Sequence, residues 1–118
     1  GCIVNMSSQA GTVALKGEPI YCMTKAAIDH LTRCLANEWA QYNIRVNAVS
    51  AGPIKTLAAA GVGGFSSILG VVRERAPLRR TVDTSEVADA SVFLLGPGGR
   101  GITGEVLMVD AGYHAGGM

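Results

Sequence analysis

Residues 44–49 read Ile44-Arg45-Val46-Asn47-Ala48-Val49. Apolar and polar side chains alternate there, and β-branched residues lead, which predicts a strand. The segment before it keeps another period. From Ile20 to about residue 41, Ala27, Leu31, Cys34, Leu35 and Trp39 recur at helical spacing. Asp29, Arg33, Asn37 and Glu38 fall mostly off that stripe, so the segment reads as one long amphipathic helix over 20–41. Asn43 ends it. Ahead of the helix, Cys2-Ile3-Val4-Asn5-Met6 is a short apolar run that predicts a buried strand at 2–6. A helix between two strands with short connections is a βαβ unit, which makes the two strands parallel.

Working outward, Ser50-Ala51-Gly52-Pro53 turns the chain at the carboxyl end of the second strand. Residues 56–72 are rich in Ala, Gly and Ser and read as a short helix or flap, followed by a helix near 65–75. Pro77 and the pair Arg79-Arg80 break it. Thr84 is expected to cap a helix over 85–95, with Glu86 in its first turn, where the helix dipole favours a carboxylate. Gly96-Pro97-Gly98-Gly99 closes that helix, and Glu105 to Asp110 predicts a third strand. The order β-α-β-α-β is an α/β layer on a parallel sheet. Ligands of such sheets sit at the carboxyl ends of the strands. Those ends carry Ser7-Ser8, Ser50 to Pro53, and Asp110-Ala111-Gly112.

Composition narrows the function classes. With 118 residues the chain has the length of one domain, and 48% hydrophobic residues exclude a solvated, disordered chain. A net charge of +1 offers no electrostatic case for nucleic acid or an acidic membrane surface. No apolar run is long enough to span a bilayer. Cys2, Cys22 and Cys34 lack metal-type spacing and read as buried thiols of a reducing compartment, cytoplasmic or plastid. His30 reads as a surface or packing residue, His114 as solvated, Arg79 and Arg80 as a solvated pair, and Trp39 as packing. Asp110 is expected to brace the last turn.

Tyr21 and Lys25 stand four apart on the long helix and so share a face. Ser8, at the end of the first strand, lies thirteen residues before Tyr21, with a loop long enough to fold back on the helix. A tyrosine hydroxyl beside an ammonium can give up its proton more readily, and a nearby serine can hold a substrate oxygen. Together they make a proton donor for a carbonyl undergoing reduction.

These residues resemble the short-chain dehydrogenase/reductase family from residue 1 to about 113. The resemblance rests on Ile3-Val4-Asn5-Met6-Ser7-Ser8, on Tyr21-Cys22-Met23-Thr24-Lys25 and on Ile44 to Val49. It continues through Gly52-Pro53-Ile54-Lys55-Thr56 and Ile102-Thr103-Gly104-Glu105 to Val109-Asp110-Ala111-Gly112. It implies the catalytic half of a doubly wound Rossmann-type sheet. The family's glycine-rich phosphate loop is not found in the sequence, and Gly61, Gly63 and Gly64 follow no strand at the spacing it needs. By position, the resemblance gives Ser8 the substrate carbonyl, Tyr21 the acid/base role, and Lys25 the nicotinamide ribose and the tuning of Tyr21. It gives Gly52, Pro53, Ile54 and Thr56 contacts to the nicotinamide end of NADP or NAD, with Gly52 leaving room for the ring. It also implies a small-molecule ketone or acyl substrate and a homo-oligomer paired through helix 20–41.

Residues 1–49 resemble tropinone-reductase-like carbonyl reductases, whereas residues 47–113 resemble enoyl-acyl-carrier-protein reductases. The latter carry Tyr-x6-Lys, and seven residues before Lys25 stands Glu18. The expected activity is NAD(P)-dependent carbonyl reduction. Two alternatives stay open: enoyl-acyl-carrier-protein reduction in fatty acid synthesis, and an inactive fragment or chimera that folds by oligomerisation.

Overall fold

A computed structural model describes residues 1–56, 59, 61 and 63–116. Three parallel strands, β1 (Cys2–Ser8), β2 (Arg45–Ala51) and β3 (Val106–Val109), form one sheet in the order β1-β2-β3. Cys2 pairs with Arg45 and Ser8 with Ala51, while Ala48 pairs with Val106. Among the described residues the α-helices are α1 (Pro19–Trp39), α2 (Phe65–Arg75) and α3 (Thr84–Leu95). The α/β class, with its parallel sheet and connecting helices, is as the sequence predicts.

Each helix end has a local cause. Pro19 opens α1 at a position where its missing N–H costs nothing. After α1 a single 3-10 turn, Ala40–Tyr42, runs to Asn43, whose left-handed backbone (φ 58°) stops it. Ala76 is extended, as a residue before proline must be, and ends α2. The residue that caps α3 is Asp83, not Thr84: Thr84 already has helical backbone, and Glu86 Oε2 accepts the Asp83 N–H at 2.8 Å. The short helix or flap expected within 56–72 falls partly on residues 57, 58, 60 and 62, which lie outside the described residues.

The helices cover both faces of the sheet. Asn5 donates to the Thr32 hydroxyl on α1 at 3.1 Å, whereas Cys2, on the opposite face by strand alternation, reaches the Leu94 carbonyl of α3. Arg45 donates to that same carbonyl at 2.8 Å. Between these layers, Val46 to Ser50 of β2 are all buried. A second cluster of Val72, Ala76, Val82 and Ala111, with Ile54, Val87, Val109 and Tyr113 packed on it, closes the carboxyl end.

The face of α1 differs from the expected stripe. Asp29, Thr32 and Ala36 are buried, whereas Ala27, Leu31 and Cys34 are exposed. Thr32 suits the buried side because it bonds both Asn5 and the Ile28 carbonyl. Ile20, Met23, Ala27, Leu31 and Cys34 form a second apolar face turned to solvent. Cys34 is therefore an exposed thiol, and Cys2 and Cys22 are only partly covered. Among the described residues, no helix is long and apolar enough to cross a membrane.

Candidate active site

The carboxyl ends of the three strands lie side by side and carry the expected site residues. Ser8 is the last residue of β1 itself, two residues beyond the expected strand end. Its hydroxyl accepts the Ala10 N–H at 3.2 Å and caps the 3-10 turn Gln9–Gly11. The strand thus hands over to the loop at the serine, which fixes the direction in which Ser8 leaves the sheet.

Tyr21 and Lys25 lie in the first two turns of α1. The Lys25 ammonium stands 5.7 Å from the centroid of the Tyr21 ring and donates to the Met6 carbonyl of β1 at 3.0 Å. One bond therefore ties α1 to the strand that ends in Ser8. Tyr21 is 43% exposed, so its ring is open to a ligand. Cys22, beside it, accepts the Leu15 N–H through sulfur at 3.4 Å, which holds the loop before α1 against the helix. Glu18 precedes Pro19 as the residue that starts α1.

Beyond β2, the Gly52 N–H bonds the Val109 carbonyl at 3.0 Å. A Cβ built on Gly52 would lie 3.0 Å from Asp110 Cβ and 3.2 Å from its Cα. The glycine thus lets the chain approach the neighbouring strand end closely at Asp110. Pro53 and Ile54 are half-buried, with Ile54 packed on the carboxyl-end cluster. Thr56 is exposed and its hydroxyl accepts the Ala59 N–H at 3.1 Å.

Asp110 braces the final turn as expected, accepting N–H groups from Gly112 and His114 at 3.0 Å each. His114 is not simply solvated: its Nδ1 sits 2.8 Å from both Asp110 carboxylate oxygens. Arg80 is likewise not free, since it forms a two-pronged pair with Glu86 at 2.7 and 2.9 Å. That pair, with the Asp83 N–H, lowers the Glu86 carboxyl from its ordinary 4.5 to about 2. His30 lies on the surface of α1.

The strand ends thus carry Ser8 and the turn 52–56, and α1 sets the Tyr21–Lys25 pair against β1. A family model described as enoyl-(acyl carrier protein) reductase matches residues 1–114. The chain belongs to that family. The match runs through residues 1–49 as well as 47–113, so one family accounts for both parts. The NADH-type enoyl-acyl-carrier-protein reductase FabI of Bacillus cereus is 47% identical over 114 residues, covering 97% of this chain and 44% of that protein. The NADPH-type FabI of Staphylococcus aureus is 44% identical over 115 residues, covering 98% of this chain and 45% of that protein.

Solved structures of the family agree. The Bacillus cereus enoyl-acyl carrier protein reductase, in complex with NADP+ and indole naphthyridinone, superposes with a TM-score of 0.95 at 47% identity over all of this chain and 46% of its own. The Aquifex aeolicus NADH enzyme gives 0.94 at 36% identity, over 100% of this chain and 46% of its own. The chain thus spans just under half the length of these enoyl reductases. Sequence reasoning did not find Met6 as the partner of Lys25, nor Asp29 beneath the Ser8 turn. Asp29, at four residues after Lys25, is the one that spacing could have revealed.

Proposed function

We propose that this chain is the catalytic half of an NAD(P)H-dependent enoyl-acyl-carrier-protein reductase, acting on the carbon–carbon double bond of an acyl thioester. The observation that carries the proposal is the family match over residues 1–114, joined to a Tyr21–Lys25 pair tied to the strand that ends in Ser8. The residues present suit the nicotinamide end of the cofactor: Lys25 has ammonium protons beyond the one given to Met6, and the turn 52–56 lies at the neighbouring strand end. NADH or NADPH, when bound, supplies the hydride. Lys25 would hold the nicotinamide ribose, and Pro53, Ile54 and Thr56 would line the ring. Ser8 would orient the thioester carbonyl, and Tyr21 would hand its phenolic proton to the oxygen on which negative charge develops. The Lys25 ammonium puts positive charge beside the ring that loses the proton.

One observation favours a second reading. The tyrosine stands four residues before Lys25, and Glu18 occupies the position seven before it. That arrangement matches carbonyl reduction, in which the same groups would protonate the alkoxide formed from a ketone. Pairing of copies across α1 belongs to either reading and is supported by exposed Ile20, Met23 and Leu31.

The deciding experiment is turnover by purified protein carrying this chain. A crotonyl thioester and a small cyclic ketone are each offered with NADH and with NADPH, and dinucleotide oxidation is followed. Thioester reduction supports the first reading. Ketone turnover without thioester turnover replaces it with the second. Absence of dinucleotide binding overturns both and leaves a fragment that folds by association.

A further inference from the structure

Asp29 follows Lys25 by one turn of α1 and Tyr21 by two, so all three lie along one side of the helix. It is 5% exposed, and its Oδ1 has no hydrogen-bond partner among the described residues. A carboxylate taken out of water without compensation is costly, so the position demands a reason.

The contact opposite supplies one. A Cβ built on Gly11 would clash with Asp29 Oδ2 and stand 3.3 Å from the Lys25 carbonyl oxygen. Gly11 does not have a left-handed backbone. Its lack of a side chain therefore serves space: the turn presses directly on the Lys25–Asp29 segment of α1. The same turn, Gln9–Gly11, begins at Ser8, whose hydroxyl holds the Ala10 N–H. Ser7 Oγ and Gln9 Nε2, on either side of Ser8, are buried and likewise unpartnered among the described residues. The polar ground around Ser8 is held by shape and packing instead of by bonds of its own.

We infer that Asp29 is a positioning residue: its carboxylate is the seat on which the Ser8–Gly11 turn rests, and it sets Ser8 relative to Tyr21 and Lys25. The effect on turnover rests on the reductase reading above, but the geometry does not. A misplacement of about 1 Å at a substrate-orienting group can cost up to about a hundredfold in rate.

Two measurements on the same variants test this. Exchange of the Ala10 amide with deuterium reports whether the turn is seated, and steady-state kinetics report its consequence. Asp29→Ala is expected to speed Ala10 exchange about tenfold. It should lower kcat about tenfold while the dinucleotide KM stays within about twofold. Asp29→Asn, which keeps the shape, restores both. Gly11→Ala speeds Ala10 exchange from the other side of the contact, and adding Asp29→Ala to it, which makes room for the new methyl, returns exchange towards that of the parent.

Parent-like Ala10 exchange in Asp29→Ala overturns the inference. So does a fall in kcat that Asp29→Asn does not restore. Should Asp29→Ala not fold, Gly11→Ala is read alone, and parent-like exchange in it overturns the inference as well. If the parent protein turns over neither substrate, the functional reading fails while amide exchange still judges the seat.

Discussion

The Lys25 ammonium stands 5.7 Å from the centre of the Tyr21 ring and at the same time bonds the Met6 carbonyl at 3.0 Å. The first contact lies within one helix, whereas the second crosses to β1. Together they hold a cation between a phenol and a strand end, which no pair on a free helix could do.

Tyr21→Phe tests that arrangement. The ring and its packing under Lys25 remain, so folding and dinucleotide affinity should be preserved. The proton donor is gone, and kcat should fall by about a hundredfold or more, whichever substrate is turned over. Steady-state kinetics, with a dinucleotide titration by fluorescence, check both halves. Turnover within about twofold of the parent removes Tyr21 from the proton path.

The sheet, the helices and the Tyr21–Lys25 register were legible in the sequence because each depends on local periodicity: two for strands, 3.6 for helices. What periodicity does not encode is which side of a helix meets the sheet when more than one side is apolar. On α1 the smaller, more polar side won, because Thr32 and Asn5 satisfy each other. The long-range contacts were illegible for another reason. Gly52 approaches Asp110 closely, and the Asn47 amide reaches Ile102 and Glu105; neither pairing leaves a spacing signature. Glu86 was legible as a first-turn carboxylate, but its bond with Arg80 required a loop geometry that spacing does not supply.

Glu86 makes stability depend on pH. Its bond with Arg80, and next its acceptance of the Asp83 N–H, lower its carboxyl from 4.5 to about 2. A carboxyl lowered by folding stabilises the protein above its unfolded value and loses that contribution as pH falls through the folded one. Glu86→Gln should therefore melt below the parent near neutral pH, with the gap closing progressively as pH falls below about 4.5. Melting curves of parent and variant over that range decide it; a gap that does not narrow in acid contradicts the assignment.

Asn47 is fully buried in β2, and its amide spans a gap between elements. Nδ2 donates to the Ile102 carbonyl at 2.9 Å, and Oδ1 accepts the Glu105 N–H at 3.0 Å. It thus fastens the loop that delivers β3 to its place beside the central strand β2. Asn47→Ala leaves the Glu105 N–H without its partner and the Ile102 carbonyl with Arg45 alone, and the expected loss is about 2 kcal/mol. Urea denaturation measures it; a loss under about 1 kcal/mol would mean that water replaces the amide at no great cost.

Gly52→Ala separates two reasons for a glycine at the candidate site. If the residue were small to admit a nicotinamide ring, the added methyl would weaken dinucleotide binding and leave the free protein as stable as before. The structure puts Asp110 Cβ only 3.0 Å from that methyl, against backbone that cannot swing aside. Asp110 also holds the Gly112 and His114 N–H groups, so pushing it disturbs the closing turn. The variant should therefore lose about 1–3 kcal/mol of stability with no ligand present. Thermal melts of the free protein, set beside a dinucleotide titration, distinguish the two. An unchanged melting point with weakened binding would return Gly52 to the cofactor.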